Sequence, residues 1–216
     1  MTTPRLSTRR RSTLALGALV SALVLFWFFP LFHVVPLKKA EDGKQSGVFN
    51  AESFAAEFWN AKLLPAMSRA VDLKELLAAL DKDQAAARNQ HGHTLGIGGP
   101  TVFMVSGSGK ITAVEEDAIT VALNGSEAKI SLNVGLLFAS TVRDATGLLD
   151  MGAYPKSQDF NDISTQLNSI VENTVSPNLK KQAAVGKTVR FAGCCELEED
   201  AEVDVLQIVP IQVEWP

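Results

Sequence analysis

Between Arg11 and Lys38 the chain runs for 26 residues without a formal charge. A helix needs roughly 20 apolar residues to cross a bilayer, so Thr13–Leu37, rich in Leu, Val and Phe, is long enough to span. Arg5, Arg9, Arg10 and Arg11 precede the run, whereas Lys38, Lys39 and Lys44 behind it are mixed with Glu41 and Asp42. That asymmetry predicts a single-pass protein of the bacterial inner membrane with its N-terminus in the cytoplasm and its C-terminal domain periplasmic. A secretory signal peptide is the competing reading. It has a shorter apolar core, about 7 to 15 residues, and small residues at its cleavage site, neither of which is clear here. Thr8, Arg9 and Arg10 also faintly resemble a twin-arginine export signal, which a basic N-terminal region explains more simply.

The expected organisation is a basic cytoplasmic segment 1–12, a transmembrane anchor 13–37, a solvated linker 38–49, a helical pair with a Gly-rich loop 50–99, and a β-rich part 100–216. The last two should pack as one exported domain, whose length suits a single core. Beyond Phe49 the chain carries 13 basic and 22 acidic residues. This acidic balance argues against nucleic acid as a partner, because nucleic acid rewards clustered Lys and Arg. Cys194 and Cys195 are adjacent, so no framework of separated cysteines staples the fold. On a strand they should point to opposite faces, one thiol inward and the other exposed; a vicinal redox pair or an intermolecular bridge is the alternative.

Helix signals open the domain. Asn50 suits an N-cap with Phe49 and Phe54 as a hydrophobic staple, and Pro65 should bend or break this helix. Asp72, Glu75, Val71 and Leu76 form a fuller capping signature before the stripe Leu73, Leu76, Leu77 and Leu80. After Pro100 the preferences change to strands. Thr101–Val114 is expected to bulge or bend sharply at Gly107–Gly109, Asn124-Gly125 marks a hairpin between 118–123 and 128–134, and residues 160–175 read as a helix. Ser176 and Pro177 suit the cap and first position of another helical turn. Two last strands, 188–197 and 203–213, flank an acidic connection, with Pro210 at an edge or bulge.

Three strands, a helix and two strands is the element order of a five-stranded OB-like β-barrel. The fold class expected is therefore α+β: a transmembrane helix, a helical pair, then that barrel. A fold name does not identify a ligand.

Several segments carry a family resemblance. Gly99-Pro100-Thr101-Val102-Phe103 leads to Gly107-Ser108-Gly109; then come Arg143-Asp144-Ala145, a helix with Phe160, Gln166, Leu167 and Asn168, and Val185-Gly186-Lys187-Thr188-Val189. In order and spacing the chain resembles the predicted periplasmic lipoproteins called domain of unknown function 2291. The resemblance implies a bacterial envelope protein, often encoded near sugar ABC transporters, with no established activity. The chain departs from the lipoprotein pattern in having no cysteine after its apolar run to accept a lipid.

Candidate sites are few. His91, His93, Cys194 and Cys195 offer metal-ligand atoms but lack the spaced Cys-x-x-Cys or His-x3-5-His pairs of structural zinc sites. Gly107-Ser108-Gly109-Lys110 fails as a phosphate loop, since Met104 stands where Gly is needed and Ile111 where Ser or Thr is needed. Arg143 and Asp144, with Asn168 assisting, form the polar cluster worth inspecting, either as a structural brace or as a ligand contact. No catalytic set is identifiable by spacing, so the expectation is a noncatalytic binding or accessory module without a cofactor. A sugar-transporter component is the partner implied; a small-ligand or metal-binding receptor and an envelope hydrolase are the alternatives.

Overall fold

The computed structural model describes residues 49–95, 99–154, 156–198 and 206–216. The expected anchor 13–37 and nearly all of the linker 38–49 lie outside these residues, as do Gly96, Gly98 and most of the acidic connection. Contacts divide the chain between Val48 and Phe49, and the second unit, Phe49–Pro216, is described below.

The first helix, α1 (Ala51–Phe58), starts where its sequence says it should. Asn50 accepts a hydrogen bond from the Ser53 amide at 2.9 Å, satisfying one of the amides that a helix start leaves orphaned. The rings of Phe49 and Phe54 meet at 5.7 Å across that start. Pro65 does not break the helix. A five-residue π segment, Trp59–Leu63, precedes α2 (Leu64–Ala66), and the Leu64 amide reaches back five residues to the Trp59 carbonyl. The wider turn absorbs a residue that cannot donate and whose ring would clash with the carbonyl four positions back. A second proline is handled in the same way. After α6 (Ser157–Ile170), a π segment at Val171–Val175 places Pro177 two residues beyond its end, the same offset as Pro65, and helical geometry continues into α7 (Ser176–Gln182). Ser176 is therefore helical rather than the expected cap, and its hydroxyl is buried without a partner.

Asp72 caps α3 (Leu73–Lys82) by accepting from the Lys74 amide at 2.9 Å. Asp83 then ends that helix and caps α4 (Gln84–His91), so the second expected helix is two. Among the described residues seven strands follow or interleave: β1 (Val71–Asp72), β2 (Gly92–Thr94), β3 (Thr101–Val114), β4 (Ala118–Leu123), β5 (Lys129–Asn133), β6 (Thr188–Leu197) and β7 (Leu206–Glu214). They pair in the order β1-β3-β4-β5-β7-β6, with β2 on β3 and a further pairing of β3 with β6. Between β5 and β6 lie α5 (Thr141–Asp144), α6 and α7.

This corrects the expected α+β architecture of a transmembrane helix, a helical pair and a five-stranded barrel. The sheet has seven strands, because the short β1 and β2 both add to β3, and it is mixed, since β1–β3 and β5–β7 are parallel. No helix among the described residues is long and apolar enough to cross a membrane. The bulge is also elsewhere. β3 pairs with β6 in unbroken register from Thr101 to Lys110, and the β3–β4 register shifts between Ile111 and Ala113. The glycines serve close approach instead: a side chain at Gly107 would strike the Phe191 ring, and one at Gly109 the Ala122 carbonyl.

The sheet separates two hydrophobic clusters. Phe103, Val105, Phe191 and Cys195 pack with Leu73, Leu76 and Leu80 of α3. Neighbouring positions Val102 and Cys194 face the other way, against Ala55 and Phe58 of α1, Trp59 and Leu63 of the π segment, and Ile163 and Leu167 of α6. Alternation along a strand thus feeds two cores, and each buried Phe contributes about 1.5–3 kcal/mol.

Candidate functional site

The segment joining β5 to α5 and the helix α6 build the site. Arg143, on α5, is only 5% exposed. Its Nε and Nη2 donate to the two carboxylate oxygens of Asp144 at 2.6 and 2.9 Å. Nη1 donates to the Phe160 carbonyl at 3.4 Å, and the guanidinium carbon lies 3.9 Å from the centre of the Phe160 ring. Such a forked, stacked arrangement fixes a planar cation in place. Arg143 thus ties α5 to the start of α6.

Asn168 takes no part in those bonds. It is buried on α6, about two turns beyond Phe160, and its Nδ2 donates to the carbonyls of Leu137 and Ala139 at 3.2 and 2.9 Å. Glu172, one helical turn further on, accepts from the Leu137 amide at 2.7 Å. The segment 135–140 is therefore pinned at three backbone groups by two side chains. At its far end Thr141 donates to Glu196 on β6 at 2.7 Å. Between these fixed points Leu136 and Phe138 stand out, 70% and 90% exposed.

This ridge has a cleft on either side. The first, of about 470 Å³, lies towards β6 and β7 and includes Asn133, Glu196, Glu198 and Gln207 in its walls. The second, of about 450 Å³, runs along α6 and presents Asn161, Thr165, Asn168, Ser169 and Glu172. Three carboxylates thus border the ridge. No Lys or Arg among the described residues lines either cleft.

The other expected site residues are elsewhere. His91 closes α4, and His93 sits on β2 opposite Val102 with its ring against Gly147. Among the described residues no group of three metal-ligating side chains occurs. Cys194 and Cys195 do point to opposite faces, but both are buried, because both faces of β6 are covered; the exposed thiol expected there is a correction. Burial, followed by the neighbouring Cys195, pushes the Cys194 thiol far up. Burial, then the charge of Glu196, pushes Cys195 up to about 12. Neutral thiols of this kind are poor nucleophiles and poor metal ligands.

Sequence reasoning identified Asn168 without its task, and it missed Leu136, Phe138, Glu172 and Glu196. The available signal was the run Leu136-Leu137-Phe138 placed after a strand and before a polar pair, yet an exposed Phe reads like a buried one.

With this geometry in view, the chain belongs to the predicted periplasmic lipoprotein family DUF2291, whose model matches residues 22–214. It is accordingly an envelope-associated protein. A solved structure that it resembles is described as an OB-fold protein from Thermotoga maritima, at 26% identity and a TM-score of 0.68, covering 78% of this chain and 99% of that one. No curated protein matches the chain significantly. The two cysteines of this sequence, both within β6, leave none beside the apolar run to carry a lipid.

Proposed function

We propose that the domain is a noncatalytic binding or accessory module of the cell envelope and that the Leu136–Phe138 ridge is its recognition element. One observation carries the reading: the backbone of this segment is held by Asn168 and Glu172 while Leu136 and Phe138 are left in water. An unsupported loop could fold its apolar side chains inward. A pinned one keeps them presented, and full burial of a Phe against a partner is worth about 1.5–3 kcal/mol. Aromatic side chains, Phe included, are enriched at protein interfaces, and binding residues are commonly carried on loops positioned by a rigid scaffold. The Arg143–Asp144 pair supports the same division of labour, since its hydrogen bonds are satisfied within the domain. The apolar run Thr13–Leu37 supports retention at the membrane, and resistance to carbonate extraction tests it.

Sugar ABC-transporter components are the partner to which the family resemblance points. Crosslinking and pull-down from intact membranes is the test. Recovery of transporter subunits by the natural chain, and their loss with Phe138→Ser, is the expected result; equal recovery by both would remove the ridge from the account. A small-ligand receptor is the second reading, favoured by the amide and hydroxyl groups that α6 presents along the second cleft.

A further inference from the structure

The walls of the two clefts say what kind of partner fits. Glu196 and Glu198 border the ridge on the β6 side, and Glu172 borders it on the α6 side. One oxygen of Glu196 accepts from Thr141, and one of Glu172 from the Leu137 amide; a carboxylate has capacity for further donors. Glu198 is exposed. Arg88, which donates to the Thr101 hydroxyl and to the carbonyls of Leu197 and Glu198 among others, is not among the lining residues of either cleft. Apolar side chains are thus flanked on two sides by carboxylates, with no Lys or Arg of the described residues in the walls, an arrangement that favours a cationic partner.

We propose that the ridge docks a cationic, apolar segment of a partner protein: Leu136 and Phe138 bury against its apolar residues while its Lys or Arg side chains enter the clefts towards Glu172, Glu196 and Glu198. The inference rests on reading the ridge as the recognition element, and it adds the partner's chemistry. An anionic membrane surface is disfavoured by the same carboxylates, and complementary charge would act chiefly on encounter and orientation.

The test uses the full chain in its native membranes with the photoreactive residue p-benzoylphenylalanine in place of Ala139, an exposed position in the wall of the first cleft. Irradiation should give an adduct with a polypeptide segment carrying both Lys or Arg and apolar residues. Adduct yield should fall roughly fivefold when Glu196→Gln and Glu198→Gln are combined, as two exposed ion pairs would supply. It should also fall as salt rises from about 0.05 to about 0.5 M. Glu196→Gln keeps an acceptor for Thr141, and Glu198→Gln alone, at an exposed side chain, provides a second variant should the double one melt early. A segment without Lys or Arg, or a yield indifferent to both Gln variants, overturns the charge assignment and leaves the recognition ridge standing. Labelling of lipid alone, or of no polypeptide, overturns the ridge itself and the assignment with it.

Discussion

Two polar arrangements lie against α6 and use the same chemistry to opposite ends. Near its start, Arg143 donates to both oxygens of Asp144 and to the Phe160 carbonyl, and its guanidinium stacks on the Phe160 ring. Everything there is turned inward. Near its end, Asn168 and Glu172 bind backbone groups of the segment 135–140, and the apolar side chains of that segment face water. A buried ion pair is expensive to open from one side, because the charge left behind has no water to replace its partner. A pinned loop with exposed apolar residues loses little when those residues are cut away, since they contribute little to the fold. Stability should therefore concentrate at the first arrangement and recognition at the second.

The most severe way to test that contrast is Arg143→Ala. Removing the guanidinium strands the Asp144 carboxylate, which is only 10% exposed, and should cost about 3 kcal/mol. In a domain of this size the midpoint of thermal unfolding should drop by about 10 °C; an unchanged melt would place the residue outside the brace. Asn168→Leu comes next. It leaves the carbonyls of Leu137 and Ala139 without their donor, so denaturant unfolding should show a loss of about 2 kcal/mol. Hydrogen exchange at the amides of 136–140 should accelerate as well.

A further effect, absent at neutral pH and confined to alkaline solution, is expected from Cys194 and Cys195. Both thiols have folded-state pKa values raised above the ordinary one, Cys195 to about 12. The folded state thus holds protons that the unfolded chain gives up. The contribution is fully present below the unfolded pKa near 9 and is lost as pH rises from there towards about 12, with a slope of about 1.4 kcal/mol per pH unit for each thiol. Replacing both with Ala should flatten that decline. A melt equally steep above pH 9 in the double variant would count against buried thiols as its source. Phe138→Ser stands last in stability, expected within about 0.5 kcal/mol of the natural chain.

Local signals were the legible part of this fold. Asn50 and Asp72 cap helices because short polar side chains satisfy nearby amides wherever the rest of the molecule goes, and the stripe of Leu73, Leu76 and Leu80 is buried as its spacing requires. The parts that sequence did not reveal depend on distant partners. Two π segments let Pro65 and Pro177 remain within helices, a device that proline alone does not announce. β1 and β2 are too short to carry a periodicity and exist through their pairing with β3. Both cysteines are buried because a helical layer covers the second face of β6, whereas strand alternation by itself left one thiol in water. The site divides in the same manner. Arg143 and Asp144 are adjacent in sequence and were visible as a pair, but the link from Asn168 to Leu137 and Ala139 crosses some thirty residues.

The most direct measurement sets capture against stability in one variant, Phe138→Ser in the full chain, by thermal melting and by crosslinking pull-down from intact membranes. The account predicts an unfolding midpoint within about 2 °C of the natural chain together with loss of the captured partner. A variant that melts normally and still captures its partner at the natural level would contradict the assignment of the ridge as the recognition element.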